Sequence, residues 1–576
     1  MKQGYSSEIN VQVLISLLKQ HGISRVVVSP GSTNVTFVAS IQQDSFFKLY
    51  SCVDERSAAY MACGMAVESG EVVVLSCTGA TASRNYFSAL TEAYYRKIPV
   101  LVVTSSQDES RINHLIPQVI DRTRQPVDTI KMSVHLQNVK DDDDKWDCII
   151  KANQAILELN HHGRGPVHVN LSTRYTQNYD IQELPVVRKI ERITNIDMHP
   201  EITQTKVAIY VGSHNRWSDS EIKAIDAFCE KYNSVVFVDP TSNYTGKFKI
   251  AYDLVSHQPI EKPNANPDLL IHIGDMSDSA GVVGKPKEVW RVSEDGMLND
   301  RYKALTYVFE MTELEFFTHY VNRDIKPRGN SYYLSCLNEC AEIHAQDIDV
   351  PFSNIWAASR LSQKLPLGST IHLGILSPLR SWSYFDIDKS IEVYCNQGGF
   401  GIDGNLSSLI GASIVCPQKL FFGVVGDLSF FYDMNSLGNR HVGNNLRILM
   451  VNNSLAAEFL LFKQANIQPV SNIEDFISAR GHFGSKSKEV VKHYSEDMGF
   501  EYLSANSKEE FDNNIEKFVS PQIGEKPIVF ELFTDVNDED KALWEMWHIA
   551  ESKNKKLAKK LIGDKGISIV KNILGK

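Results

Sequence analysis

The sequence predicts an α/β protein of three consecutive domains, each built on a parallel sheet. The chain has 576 residues, too many for one hydrophobic core and suited to domains of roughly 100–200 residues. Short runs of β-branched and apolar residues recur along it, separated by stretches of helix length, as in parallel sheets covered by helices. A hydrophobic content of 43% and a charged content of 22% are typical of a globular protein.

The first domain is expected over residues 1–185. Its strand candidates are the apolar runs at residues 26–28, 72–75, 100–103 and 165–171. Helix-length segments lie between them, which favours parallel pairing. Pro185 and a mixed-charge stretch follow the last run, so we place the end of the domain there.

The second and third domains repeat this pattern. The second is expected over residues 186–345, with strand candidates at 207–211, 235–238 and 269–273. None of its turns has the G-x-G-x-x-G spacing of a dinucleotide site, so we expect it to be mainly structural. The third is expected over residues 346–540, with strand candidates at 421–425, 448–451 and 528–532. Residues 541–576 remain as a basic amphipathic tail.

Charge and composition exclude several classes of function. A formal net charge of −11 disfavours nucleic-acid binding, which needs a basic surface. No signal peptide and no long uncharged apolar stretch is evident, and nine scattered cysteines suit reduced thiols, so a cytoplasmic location is expected. The tail carries eight lysines after residue 550. It suits either peripheral contact with an anionic membrane or a helix packed on the protein's own acidic body.

The strongest local signal for chemistry lies in the third domain. Asp427 follows one predicted strand directly, and Asn453 follows the next. Carboxylate and amide oxygens at the carboxyl ends of neighbouring parallel strands converge on one site and suit a hard divalent cation. Gly426 allows a phosphate to approach the backbone closely. The pair resembles the diphosphate-and-metal motif of thiamine-diphosphate enzymes, although Leu428 replaces the usual second glycine.

A second signal lies in the first domain at Glu55, which opens a helix rich in small residues. An isolated glutamate there is also explained by the helix dipole. In thiamine-diphosphate enzymes a glutamate before an Ala-rich helix bonds the aminopyrimidine ring of the cofactor and promotes its imino tautomer, from which the carbanion forms. Glu55 matches that position.

Further motifs narrow the resemblance to one family. They lie in order, with similar spacing, over about residues 5–540, at residues 29–32, 54–59, 92–95, 165–168, 401–404 and 426–429. Together they resemble the SEPHCHC synthases of menaquinone biosynthesis. The resemblance implies the thiamine-diphosphate-binding fold, with Rossmann-like or flavodoxin-like domains in the order pyrimidine-binding, central and diphosphate-binding.

The resemblance also implies roles for individual residues. Glu55, Gln118 and Ser377 would be catalytic. Ile402 would hold the cofactor in its bent form; the alternative is that it is only a core residue. Mg²⁺ would be bound by Asp427, Asn453 and the backbone carbonyl of Leu455. Further contacts to thiamine diphosphate would come from Ser32, Thr78, Asn85, Gly426 and Ser429.

The sequence departs from that family where arginines would bind the carboxylates of 2-oxoglutarate and isochorismate. Thr33 and Gln397 stand in place of arginines, and Ser105-Ser106-Gln107 replaces an Asp-Arg-Pro-like segment. Each change removes a cation that a carboxylate would need. Glu458 replaces an apolar residue and is either a polar group of the acceptor pocket or a solvated helix position. The substrate candidates are Thr33, Arg111, Arg380, Gln397, Glu458 and Phe459.

These observations predict a thiamine-diphosphate- and Mg²⁺-dependent 2-oxoacid decarboxylase and carboligase. It would add the acyl carbanion to a second carbonyl or alkene, with modified-sugar or surface-glycan synthesis as the suggested setting. The alternatives are SEPHCHC synthesis, simple decarboxylation, C–C hydrolysis and a non-catalytic scaffold. The intact Glu55, Asp427 and Asn453 argue against the scaffold. The resemblance implies a homodimer or homotetramer with the active site at the interface.

Overall fold

The computed structural model describes residues 4–122, 124–346, 349–462, 473–483 and 486–551. It divides into two compact units: residues 1–199 with 294–310, and residues 200–293 with 311–576. The predicted α/β class with parallel sheets is confirmed, because every strand pairing described within each unit's sheets is parallel. The basic segment at residues 552–576 lies outside the described residues. No helix among the described residues is long and apolar enough to cross a membrane.

The first unit is built on a six-stranded parallel sheet in the order β2-β1-β3-β4-β6-β5. Its strands are β1 (Arg25–Val28), β2 (Lys48–Ser51), β3 (Val73–Thr78), β4 (Val100–Ser106), β5 (Met132–Leu136) and β6 (Val167–Ser172). Its helices are α1 (Ile9–Gln20), α2 (Val35–Gln42), α3 (Glu55–Ser69), α4 (Thr81–Asn85), α5 (Phe87–Tyr95) and α6 (Asp142–Glu158). Two further strands, β7 (Glu191–Ile193) and β13 (Leu305–Phe309), pair in parallel in the same unit.

The position of each strand in this sheet follows from its sequence. β4 and β6 are buried at every residue and lie inside the sheet, where helices cover both faces. β2 reads Lys-Leu-Tyr-Ser, has no buried residue and lies at one edge. A charged residue on an edge strand also discourages pairing with another chain. The predicted apolar runs therefore match the four inner strands β1, β3, β4 and β6, whereas β2 and β5 lie at the edges.

The second unit contains two parallel sheets. The first includes β8 (Val207–Val211), β9 (Ser234–Val238), β10 (Lys249–Ile250), β11 (Leu269–Ile273) and β12 (Glu288–Val292), in the order β10-β9-β8-β11-β12. Its helices are α7 (Asp219–Tyr232), α8 (Asp253–Ser256), α9 (Glu313–Val321) and α10 (Ser331–His344). A capping box at Ser218 begins α7, and another at Thr312 begins α9.

The last sheet has the order β15-β14-β16-β17-β19-β18. Its strands are β14 (Thr370–Leu373), β15 (Glu392–Tyr394), β16 (Phe421–Gly426), β17 (Leu446–Asn452), β18 (Glu501–Ala505) and β19 (Ile528–Phe533). Its helices are α11 (Asn354–Leu361), α12 (Ser377–Ser383), α13 (Asn405–Val415), α14 (Asp427–Asp433), α15 (Ile473–Phe476), α16 (Val490–Asp497), α17 (Lys508–Phe518) and α18 (Val536–Trp547). Helix α18 continues across residue 540, where the sequence predicts a domain boundary.

A buried polar network crosses the sheet of the first unit at His168, which is 3% exposed. The Nη1 of Arg122 donates to the Thr104 hydroxyl at 2.8 Å, so that hydroxyl is free to donate to Nε2 of His168 at 2.7 Å. The Nδ1–H of the imidazole then donates to the Ser133 hydroxyl at 2.8 Å. Burial first, and then the nearby charges of Arg122 and Arg84, lower the pKa of His168 to about 3.

This neutral histidine makes the stability of the first unit depend on pH. The unfolded chain protonates His168 near its ordinary pKa of 6.5, whereas the folded chain does not until about pH 3. Stability therefore falls as pH decreases through this window, by about 1.4 kcal/mol per unit. Between pH 7 and pH 5 the wild type should lose about 2 kcal/mol more than His168→Gln, measured by urea unfolding. Equal losses in the two proteins would contradict the assignment.

Candidate active site

Two neighbouring strands of the last sheet bring Asp427 and Asn453 to the same edge. β16 pairs with β17 in a register that sets Gly426 opposite Val451. β16 ends at Gly426 and α14 begins at Asp427, while the chain leaves β17 at Asn452 and turns. The structure thus brings together the two residues that the sequence predicts as metal ligands.

The loop after β17 uses its two asparagines differently. Asn452 is buried, donates to Oε1 of Glu531 at 2.6 Å and accepts from the backbone N–H of Ser454 at 3.0 Å. Asn453 is half-buried, and its Oδ1 accepts only a long bond of 3.4 Å, from the N–H of Leu455. Asn452 therefore shapes the loop, and the amide oxygen of Asn453 is available to a cation.

Asp427 is a buried carboxylate, 6% exposed. Its Oδ1 accepts from the N–H of Leu428 at 2.7 Å. Burial raises the pKa of Asp427 to about 7 despite hydrogen bonds from backbone N–H groups, and the charge of Glu531 acts in the same direction. A divalent cation at this carboxylate would favour its ionised form.

Space for a phosphate lies beside this carboxylate. No atom lies within 4 Å of the position that a Cβ on Gly426 would occupy, so the backbone is open to a ligand there. A cavity of about 110 Å³ adjoins it and is lined by Gly426, Asp427, Asn453, Leu455 and Ile402 among others. Carboxylate, amide and carbonyl oxygens next to an open backbone fit a metal-bound diphosphate.

The loop that carries Ile402 is hydrogen-bonded to α14, the helix that Asp427 begins. The Ser429 hydroxyl donates to the backbone carbonyl of Ile402 at 2.7 Å and accepts from the side chain of Asn405 at 2.8 Å. Ser429, predicted as a cofactor contact, thus also holds Ile402 at the cavity wall. The sequence reasoning missed Asn405, although its place directly after the Gly-Ile-Asp-Gly motif is a signal for it.

An internal ion pair also lines the cavity. Nη2 of Arg380 is 2.5 Å from Oε2 of Glu458, and each side chain is 10% exposed. The Ser377 hydroxyl donates to the same carboxylate oxygen at 3.0 Å. The structure brings these three predicted residues together, and Phe459 follows Glu458 in the same short turn.

Glu539 on α18 also lines the cavity and was missed by the sequence reasoning. Both of its carboxylate oxygens accept from the N–H of Asn354, at 2.9 and 3.1 Å. Burial raises the pKa of Glu539 to about 7. The sequence signal for Glu539 is an acidic residue on the apolar face of an amphipathic helix, because acidic side chains are rarely fully buried unless they have a partner.

In the first unit, Glu55 is the first residue of α3. Asp54 caps the helix by accepting from the N–H of Ser57 at 2.8 Å. Oε2 of the half-buried Glu55 accepts from the side-chain amide of Asn85 at 3.0 Å, which joins two predicted cofactor residues. The Thr33 hydroxyl lies beside that of Thr78 and donates to the carbonyl of Ser105 at 2.6 Å. Ser32, another predicted cofactor contact, is exposed.

Three further predicted residues have the following surroundings. Gln118 is exposed with a φ of 65°, and the exposed Arg111 donates to Oε1 of Gln107 at 2.5 Å. Gln397 is 2% exposed and does not line the cavity as the structure describes it. Its amide bonds Asp239 and Thr241 on one side and the N–H of Asp278 on the other.

Comparison with known proteins identifies the chemistry of this architecture. Residues 10–126 match the thiamine pyrophosphate enzyme N-terminal TPP binding domain. Together with the predicted metal ligands at the strand ends and the open glycine, this match indicates a thiamine-diphosphate-dependent enzyme that also uses a divalent cation. Three parallel sheets with covering helices are the fold expected of that class.

Similar proteins show which family of thiamine-diphosphate enzymes the chain belongs to. The chain is 31% identical to the 2-succinyl-5-enolpyruvyl-6-hydroxy-3-cyclohexene-1-carboxylate synthase of Bacteroides fragilis over 94% of its own length and 99% of the relative. The Phocaeicola vulgatus synthase is also 31% identical, over 96% and 100%, and that of Flavobacterium psychrophilum is 27% identical, over 92% and 96%. The chain belongs to this SEPHCHC synthase family, which confirms the resemblance inferred from its motifs.

Proposed function

We propose that the protein decarboxylates a 2-oxoacid and joins the remaining acyl unit to a carbonyl or alkene acceptor, with substrates less anionic than those of SEPHCHC synthesis. One observation carries this proposal: the cavity's arginine, Arg380, is already paired with Glu458. A buried ion pair leaves little net charge for a substrate carboxylate, and a second carboxylate beside Glu458 would be repelled.

The following residues would bind the cofactor and the substrate. Thiamine diphosphate supplies the electron sink for decarboxylation. Glu55 would hold a proton at the cofactor's pyrimidine nitrogen, while Asp427, Asn453 and the carbonyl of Leu455 would hold Mg²⁺, the hard cation that an all-oxygen donor set suits. Ser377 would position the donor, and the apolar wall at Ile402 would exclude water.

The exposed side of α3 supports self-association. Val53, Tyr60, Met61 and Val67 are 77%, 47%, 38% and 52% exposed in the single chain, all on or next to the helix that Glu55 begins. Clustered exposed apolar residues mark protein interfaces. A homodimer or homotetramer with Glu55 at the interface is the arrangement we propose.

The proposal is tested with a panel of 2-oxoacids. The protein, thiamine diphosphate and Mg²⁺ are incubated with pyruvate, 2-oxobutyrate or 2-oxoglutarate, with and without carbonyl acceptors that include keto-sugars, and CO₂ and products are followed. CO₂ release is expected to be faster from the monocarboxylic donors. Release without any ligated product would favour simple decarboxylation.

A second candidate is SEPHCHC synthesis itself, favoured by the alignment over nearly the full length of the Bacteroides fragilis synthase. The same panel, with isochorismate as acceptor, separates the two. Preference for 2-oxoglutarate and formation of the isochorismate adduct would overturn the proposal and establish the second candidate.

Replacing Glu458 by glutamine should shift the substrate preference toward dicarboxylates. The amide keeps the shape of the pocket but releases the charge of Arg380, which can then bind a substrate carboxylate. A charged hydrogen bond contributes about 1.5–3 kcal/mol, so the ratio of kcat/KM for 2-oxoglutarate to that for pyruvate should rise by at least about tenfold. Glu342→Gln, an exposed change on α10, is the control and should leave the ratio unchanged. An unchanged ratio in Glu458→Gln would disprove the role of the pair.

A further inference from the structure

A group of metal-ligating side chains that the proposed reaction does not use lies in the first unit. It consists of His161, His162 and Glu310, here called the His–His–Glu cluster. One potential ligand atom of each lies within 4.8 Å of the others. It is the one such group of three histidine, cysteine or acidic residues found among the residues that the structure describes.

The local fold holds these side chains in place. Asp141 caps the start of α6 by accepting from the N–H of Asp144. The chain turns after the helix, with His162 at a φ of 43°. A side-chain-bearing residue in this left-handed region is strained, and such strain persists where the surroundings enforce it, often at functional sites. Glu310 follows β13 directly, and Gly296 leaves room for it, because a Cβ there would lie 2.6 Å from its Oε2.

The ligand atoms face each other at short distances. Nε2 of His161 lies 3.0 Å from Oε2 of Glu310, and Nε2 of His162 lies 2.6 Å from Oε1. The two imidazole rings are stacked, with centroids 3.7 Å apart. His161 and Glu310 are nearly buried, with side chains 13% and 12% exposed, while His162 is 70% exposed.

Both ring nitrogens of His161 face carboxylate oxygens. Its Nδ1 lies 2.9 Å from Oε2 of Glu158 and its Nε2 lies 3.0 Å from Oε2 of Glu310. A cation between Nε2 and Glu310 would therefore meet one nitrogen and one oxygen ligand, with a second carboxylate on the far side of the ring.

Neighbouring groups leave Glu310 available to a metal. Nε of Arg192 is 3.6 Å from Oε2, but its guanidinium directs two hydrogen bonds, of 3.2 and 3.1 Å, at the carbonyl of Gly296. Lys131 lies 3.2 Å from Oε1 of Glu158 and keeps that carboxylate balanced. A carboxylate that bonds the outer nitrogen of a liganding histidine fixes its tautomer, as Glu158 does here.

We propose that the His–His–Glu cluster binds a divalent transition-metal ion of the zinc class. Two imidazole nitrogens and one carboxylate oxygen are a donor set that suits Zn²⁺, and a fourth, tetrahedral position opens to an adjoining cavity of about 430 Å³. The ion lies between the two Nε2 atoms and the carboxylate of Glu310. It ties the turn after α6 to the end of β13 and shares no residue with the thiamine-diphosphate site.

Zinc titration of the full chain tests this site. Metal-free protein is first saturated with thiamine diphosphate and Mg²⁺, which fills the oxygen-ligand site, and is then titrated with Zn²⁺ by calorimetry. One zinc ion should bind per chain. His162→Ala, a change at an exposed side chain, should weaken binding at least 100-fold, and Glu158→Gln should weaken it about 10- to 100-fold. His344→Ala, an exposed histidine on α10, is the matched control and should bind zinc as the wild type does.

Co²⁺ provides an independent signature. Four-coordinate Co²⁺ with nitrogen ligands absorbs visible light far more strongly than six-coordinate Co²⁺ with oxygen ligands, so the wild type should gain an intense band that His161→Ala lacks. No zinc binding by the wild type, or equal binding by His162→Ala, would overturn the proposal. Decarboxylation with Mg²⁺ alone should be unchanged in His162→Ala, which separates this site from the proposed reaction.

Discussion

Glu55→Gln is expected to lower turnover by about three orders of magnitude. Glutamine keeps the size of the side chain and can still bond Asn85, but it cannot give up or accept the proton that cofactor activation requires. General acid–base catalysis of this kind contributes about 10²–10⁴ in rate. The measurement is CO₂ release from the best donor of the panel, with thiamine-diphosphate affinity determined separately.

A matched control lies on the same helix. Glu68→Gln changes an exposed glutamate near the end of α3 and should leave both turnover and cofactor affinity unaltered. Glu55→Gln should retain most of its cofactor affinity, because the diphosphate and its cation are proposed to be held by Asp427, Asn453 and Leu455. Full turnover in Glu55→Gln would show that another group activates the cofactor.

Asp427→Asn is expected to weaken thiamine-diphosphate binding by at least about 100-fold and to abolish turnover at ordinary cofactor concentrations, because it removes a charged metal ligand. The cofactor-free protein should lose less than about 1 kcal/mol of stability. The amide oxygen still accepts from the N–H of Leu428, and a costly buried charge disappears. Calorimetric titration with the cofactor and Mg²⁺, and urea unfolding without them, give the two quantities.

Asp497→Asn serves as the control for this change, since Asp497 is exposed at the end of α16. It should match the wild type in both measurements. Unaltered cofactor affinity in Asp427→Asn would place the metal elsewhere and remove the central element of the proposed site.

The sequence predicts the parts of the fold and site that depend on local pattern. Continuous apolar runs identify the buried strands, and Asp427 and Asn453 follow two of them, so their meeting at one sheet edge follows from parallel pairing. The residues it missed depend on distant packing. The position of Glu539 on the apolar face of α18 indicates burial, but its place in the cavity depends on the packing of α18 against α11, which the local sequence does not indicate.

Gln397 is a residue that the sequence singled out but whose surroundings it did not predict. Its place in a motif that carries arginine in related enzymes predicts a substrate contact, but the side chain is buried against Asp239 and Thr241. A motif gives the position of a residue along the chain, whereas the direction of its side chain depends on the nearest polar partner. For the same reason sequence alone does not show that Arg380 and Glu458 neutralise each other.

The ion pair between Arg380 and Glu458 has an evolutionary consequence. Because the countercharge lies on the turn after β17 and the arginine on α12, a substitution at position 458 alone changes the charge next to Arg380. Under the proposed function, such a substitution would let a lineage exchange acidic for neutral substrates while Glu55 and Asp427 stay unchanged.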